Sequence, residues 1–127
     1  MVKYSTLVIA VLLLSTVSGL VFSGELAGQW VSDVDAIYKT KARTVYEFNV
    51  DGSKLTGSVL GGLREEERSI VNGKIKGNKI SFAVPLDEKK HTLLFLYKGT
   101  ITGDTINFVV TYGSHTRAKF TARKLNQ

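Results

Sequence analysis

Cysteine is absent from the 127-residue chain, and proline, methionine and tryptophan occur once each. Without a thiol there is no disulfide scaffold, no thiolate nucleophile, no cysteine-held zinc or iron–sulfur site and no lipoprotein anchor. The chain also lacks Gly-x-Ser-x-Gly, His-Glu-x-x-His and a phosphate-cradling loop, and its two histidines have no nucleophile spaced to partner them. Glu66 and Glu67 are adjacent in an extended run and point to opposite faces, which excludes a paired-carboxylate site there. No enzyme chemistry and no cofactor is therefore expected. The fractions that remain, 22% charged and 43% hydrophobic, are those of an ordinary globular chain, and the length allows one domain.

Targeting occupies the first segment. Lys3 is the only charge before an apolar run from Thr6 to Val17, after which small residues follow: Ser18, Gly19, Ser23 and Gly24. This layout predicts a secretory signal peptide over residues 1–23, cut after Gly19 or Ser23. An uncleaved anchor is the alternative, because Tyr4 to Phe22 spans 19 residues and a membrane-crossing helix needs ~20. Cleavage would leave residues 24–127 as the working domain, at +5 once Lys3 is lost from the total of +6, with no segment for stable membrane insertion. Export without disulfides fits a bacterial periplasm or cell surface. Nucleic acid is not expected as a partner: the charge is modest, export removes the usual target, and the outward positions carry no aromatic stripe.

Beyond residue 25 the hydrophobic pattern alternates with period two, as in Tyr46, Phe48, Val50, or Ile106, Phe108, Val110, Tyr112. The chain also repeats itself. GKIKGNKISFAV at Gly73–Val84 matches GTITGDTINFVV at Gly99–Val110, 26 residues on, and VDGSKLTGSV at Val50–Val59 is a weaker copy. Each copy is two β runs around Asp51-Gly52, Gly77-Asn78 or Gly103-Asp104, dipeptides suited to two-residue hairpin turns. Eight runs emerge, at about 28–37, 42–50, 53–60, 66–75, 79–85, 92–101, 105–112 and 116–125. Sequential hairpins with one apolar face predict an all-β, eight-stranded antiparallel up-and-down meander barrel; a two-sheet sandwich is the alternative.

Gly28-Gln29-Trp30 at the head of the first run resembles the Gly-x-Trp signature that opens the first strand of lipocalins, the calycin barrels. Arg123-Lys124 ends the last run, where that superfamily packs a basic side chain across the tryptophan. The resemblance covers the domain in topology and only these residues in motif. It is closest to short secreted bacterial barrel domains of unknown function, since the chain lacks the disulfide, the helix after the barrel and the later motifs of typical lipocalins. It implies a closed end sealed by Gly28, Trp30, Arg123 and Lys124.

The tight turns would share one end of the barrel, leaving the long links near 38–43, 61–67, 85–91 and 113–117 to form a mouth. Inward positions nearest the turns read as solid core around Phe48, Phe82 and Phe108, with Val71 among the inward residues higher up. An eight-stranded barrel has room for side chains or one small ligand. The upper interior offers Tyr46, Val84, Phe95, Tyr97, Val110 and Tyr112 to a hydrophobic or amphipathic ligand, with tyrosine hydroxyls on its polar group. Lys39, Lys41, Arg43 and Arg117 at the mouth are candidate anion attractors, while Arg64 to Arg68 reads as a self-compensating solvated run. His91 and His115 with Asp87 or Glu88 make a remote candidate metal site. On the outside, Leu94, Leu96 and Val109 form an apolar patch suited to a protein partner or self-association. Two functions stay open: a small-molecule-binding barrel, or a protein- or envelope-interaction module with a solid interior.

Overall fold

The computed structural model describes residues 26–61, 66–86 and 94–125; the expected signal peptide lies outside them. Nine strands follow in chain order: β1 Gly28–Ser32, β2 Thr44–Asp51, β3 Lys54–Gly61, β4 Glu66–Ser69, β5 Val71–Lys76, β6 Lys79–Pro85, β7 Leu94–Thr102, β8 Thr105–Tyr112 and β9 His115–Lys124. β4 and β5 both pair with β3 and form one stave interrupted at Ile70. The remaining pairings are antiparallel between neighbours, and β1 joins both β2 and β9. The result is a closed, eight-stave, up-and-down barrel, and closure leaves no edge to cap. The sandwich alternative is excluded.

Gly77-Asn78 and Gly103-Asp104 form their turns as read from the sequence; in the first hairpin Asp51 pairs with Lys54, so the turn is Gly52-Ser53, one residue later than the expected Asp51-Gly52. Gly52, Gly77 and Gly103 turn the chain at φ of +63°, +61° and +60°, the left-handed region that glycine enters without a Cβ penalty. Registers run without slippage from Asp51↔Lys54 to Thr44↔Gly61 and from Thr102↔Thr105 to Phe95↔Tyr112. These three turns lie at one end with the start of β1 and the finish of β9.

Three features differ from expectation. β1 ends at Ser32 rather than at residue 37, because Asp35 folds the chain back on itself and pairs with Thr40. The β8–β9 link is a tight turn at Gly113-Ser114, with Tyr112 opposite His115, rather than a long loop; Gly113 supplies the positive φ of +63°. The fourth run carries one extra residue between Ile70 and Gly73, with Asn72 at φ +56°. This bulge shifts the register by one. Ile70 consequently joins the core and Val71 pairs with Ala83 on the other face, so the expected inward placement of Val71 is wrong.

The core is continuous from end to end. Leu55, Ile80, Ile101 and Ile106 fill the closed end, Phe48, Phe82 and Phe108 the middle, and Tyr46, Tyr97, Val84, Val110 and Phe95 the upper part, all nearly inaccessible to solvent. Gly73 and Gly99 leave space for neighbours: a Cβ on Gly73 would sit 2.0 Å from the Leu55 carbonyl oxygen, and one on Gly99 2.7 Å from Ile106.

Candidate functional site

The mouth is covered by the chain's own β1–β2 link. Asp35, 3% exposed, accepts hydrogen bonds at Oδ1 from the backbone N–H groups of Ile37 (3.0 Å) and Tyr38 (3.3 Å), closing a side-chain-built turn. That turn drives Ala36 and Ile37 down into the core cluster. Arg117 on β9 clamps it from the other side, donating Nε to the Ala36 carbonyl (3.3 Å) and Nη2 to the Ile37 carbonyl (2.7 Å). Its guanidinium also lies 5.4 Å from the centre of the Phe95 ring. Arg117 therefore acts first as a fastener of the cap.

A second arginine, read from the sequence as solvated, is inside. Val59 faces the interior and Arg68 is its register partner, so the guanidinium enters the barrel just below the rim. It donates to the carbonyls of Pro85 (3.2 Å) and Leu86 (2.8 Å), pairs with Glu66 (2.8 Å) and reaches the Tyr38 hydroxyl (3.4 Å), which itself donates to Glu66 (2.9 Å). A buried guanidinium needs such a set of acceptors to offset its lost hydration.

Beneath this layer the expected ligand residues pack on one another. Tyr46 lies with its ring 5.5 Å from Phe108 and 6.3 Å from Phe120, and Tyr97 stacks on Phe82 at 4.8 Å. Tyr112 is half-buried against Phe95 at 5.0 Å. The Tyr46 hydroxyl makes a long contact of 3.5 Å with Ser32. Burial pushes both the Tyr46 and Tyr97 hydroxyls well above the ordinary tyrosine range, so both stay neutral under physiological conditions. The void bounded by Asp35, Ile37, Val59 and Arg68 measures about 10 Å³, space for one water at most.

Outside the cap, Lys39, Tyr112, His115, Thr116 and Arg117 surround an open basin of about 260 Å³ at the rim. Arg43, expected to act with them, is exposed in the link before β2 and does not line it. His91, Asp87 and Glu88 of the candidate metal site lie outside the described residues. Among the described residues no group of three acidic or histidine side chains is placed to hold a metal.

At the closed end Trp30, 1% exposed, donates its indole N–H to the Leu26 carbonyl at 2.9 Å. Lys124 lies over that ring at 5.1 Å and also donates to the Ala27 carbonyl, with Gly28 beside it at φ +114°. Arg123 points the other way, to Asp33 at 3.4 Å on the surface.

On the outer wall, Leu96 and Val109 are 42% and 37% exposed and Leu94 is half-buried. Leu94, Leu96, Ala83 and Lys98 border a groove of about 200 Å³. It adjoins a larger one of about 540 Å³ whose sides carry Lys74, Lys76, Lys79 and Lys98. Sequence reading did not single out these lysines; their signal was the register, since each occupies an outward position of a repeated hairpin. In comparisons with known proteins, no family model, no curated protein and no solved structure matches this chain.

Proposed function

We propose that the chain is an exported, non-enzymatic recognition module of lipocalin-like design, with a solid interior and its working surface on the outer wall and rim. One observation carries this reading: the interior positions that a ligand would occupy are taken by rings in mutual contact, Tyr46 on Phe108 and Tyr97 on Phe82, beneath a cap formed by Ala36 and Ile37. The lipocalin-like character is supported by the closed meander and by Lys124 lying across Trp30. Export is supported by the layout of residues 1–23.

A second reading rests on the rim basin, where Lys39, His115 and Arg117 surround a half-buried Tyr112. An amphipathic anion would lie there with its charge beside Lys39 and Arg117 and its apolar part on the Tyr112 ring. Titration with a long-chain fatty acid and with a fluorescent naphthalene sulfonate separates the readings. A solid module leaves both unbound at micromolar concentration. Saturable binding lost on Lys39→Gln would favour the rim, and saturable binding indifferent both to Lys39→Gln and to Lys98→Gln in the outer-wall groove would place the ligand inside and overturn the proposal.

A further inference from the structure

Two parallel rows of register partners cross the outer wall. The first runs Lys54↔Lys74↔Ser81↔Lys98↔Val109↔Lys119, from β3 through β5, β6, β7 and β8 to β9. The second, two residues nearer the tight turns, runs Lys76↔Lys79↔Thr100↔Asn107↔Thr121. Six lysines thus point outward along the two rows, four of them, Lys74, Lys76, Lys79 and Lys98, clustered on β5, β6 and β7. Two cross-strand pairs, Lys54 with Lys74 and Lys76 with Lys79, set like charges directly opposite each other, an arrangement that costs stability. Among the described residues none of the six is in an ion pair, and Lys79 donates only to the Thr100 hydroxyl (3.3 Å). Acidic residues on the same wall stand at its margins, Asp51 opposite Lys54 and Asp104 in the β7–β8 turn.

We infer that this wall is a binding site for a linear acidic polysaccharide carrying carboxylate or sulfate groups. The inference rests on the reading of the barrel as a solid module, and names its partner. Three features of the wall select that class. Lys74, Lys98 and Lys119 fall on alternate staves, so their attachment points repeat at ~10 Å around the wall, comparable with the disaccharide repeat of such a polymer. Ser81 stands between Lys74 and Lys98, Val109 between Lys98 and Lys119, and the second row adds Thr100, Asn107 and Thr121, which offer hydroxyl and amide groups to sugar hydroxyls; Thr121 and Asn107 are already bonded to each other at 2.7 Å. The about 540 Å³ groove between the rows, lined by residues of β5 to β8, gives a chain a track over that part of the wall. Nucleic acid fits less well, because neither row contains an aromatic side chain on which a base would stack. A membrane fits less well because the first row crosses six of the eight staves of a curved wall, and a flat surface meets only a few at once.

The test measures binding of the full chain to polygalacturonate and to dextran sulfate by calorimetry at low and physiological salt. Binding that weakens with salt is expected. K74Q/K76Q/K79Q/K98Q removes four exposed charges and should weaken binding roughly tenfold to a hundredfold, with an unchanged circular dichroism spectrum. K39Q/K41Q/R43Q removes three charges elsewhere and should weaken it less than threefold. Equal losses in the two variants would mean attraction by net charge alone and would overturn the site. No binding of either polysaccharide, or tighter lysine-dependent binding to phosphatidylglycerol vesicles or single-stranded DNA, would overturn the partner. None of these results depends on whether the interior takes up an apolar probe, so the two proposals fail separately.

Discussion

Phe108 is the ring on which the packed interior turns, and replacing it with alanine gives a sharp expectation. Its ring touches Tyr46 at 5.5 Å, Phe120 at 5.4 Å, Tyr97 at 5.9 Å and Phe82 at 6.0 Å, so four aromatic neighbours lose a partner together. None can follow the retreating side chain easily, because closed strands hold their backbones on all sides and the residue is 1% exposed. Truncations of this kind cost about 3–5 kcal/mol when the cavity does not collapse. Against a typical total of ~5–15 kcal/mol, that is a large fraction. For a domain of this size the melting temperature should fall by on the order of 15–30 °C. Urea unfolding gives the free energy directly, with an unchanged slope confirming that the native fold persists. Phe108→Leu keeps most of the volume and should lose about 1–2 kcal/mol, which guards against a variant too unstable to measure. Tyr112→Ala, at the half-buried rim with one ring partner, should cost less than Phe108→Ala. A loss below ~1 kcal/mol for Phe108→Ala would refute the packing: it would mean a space already present beside the ring.

Other outcomes follow from the same contacts. Arg68→Met strips the Pro85 and Leu86 carbonyls of their donor and should destabilise by about 2–4 kcal/mol in urea unfolding; Arg68→Lys, with no planar fork, should recover only part of that. Gly57→Ala places a Cβ 1.8 Å from the Glu47 carbonyl oxygen at φ +146° and should cost roughly 2–6 kcal/mol or prevent folding, visible as loss of soluble protein. Burial raises the folded-state Tyr46 and Tyr97 hydroxyls above the unfolded value of 10.0, so their contribution is intact below pH 10 and is lost as pH rises beyond it. The expected slope is about 1.4 kcal/mol per pH unit for each tyrosine, and Tyr46→Phe should remove one of the two; an identical alkaline slope in that variant would contradict its burial.

What could be read in advance followed local chemistry. Gly52, Gly77 and Gly103 announce their turns because few other residues enter that backbone region, and the turns fix register for whole hairpins. The Tyr46–Phe48–Val50 and Ile106–Phe108–Val110 alternation then assigns inside and outside. Three things escaped the periodicity, one through a partner far along the chain and two through local backbone geometry that no glycine or proline marks. Arg68 sits in a run of charges, and only its pairing opposite Val59 shows that it points inward. Asp35 falls inside the expected first β run, 28–37, but its carboxylate instead caps a turn that ends the strand early and seats Ile37 in the core. The bulge at Asn72 has no glycine to mark it, so the inward role passed from Val71 to Ile70 unannounced. Tyr46, Tyr97, Val84, Val110 and Phe95 lie in the upper part of the barrel, but periodicity does not measure how far rings from opposite staves reach. The lysine rows needed the register of six staves to become visible as one surface.

A barrel filled by its own side chains and working, as proposed, from its outer wall should leave its own compartment without an interior ligand. Native mass spectrometry of the protein purified from its own compartment under non-denaturing conditions tests it most directly. A filled barrel gives the bare mass of the processed chain after the small-ion adducts are stripped, with any carbohydrate removable by salt. A stoichiometric apolar adduct that survives salt and leaves only on unfolding would contradict it.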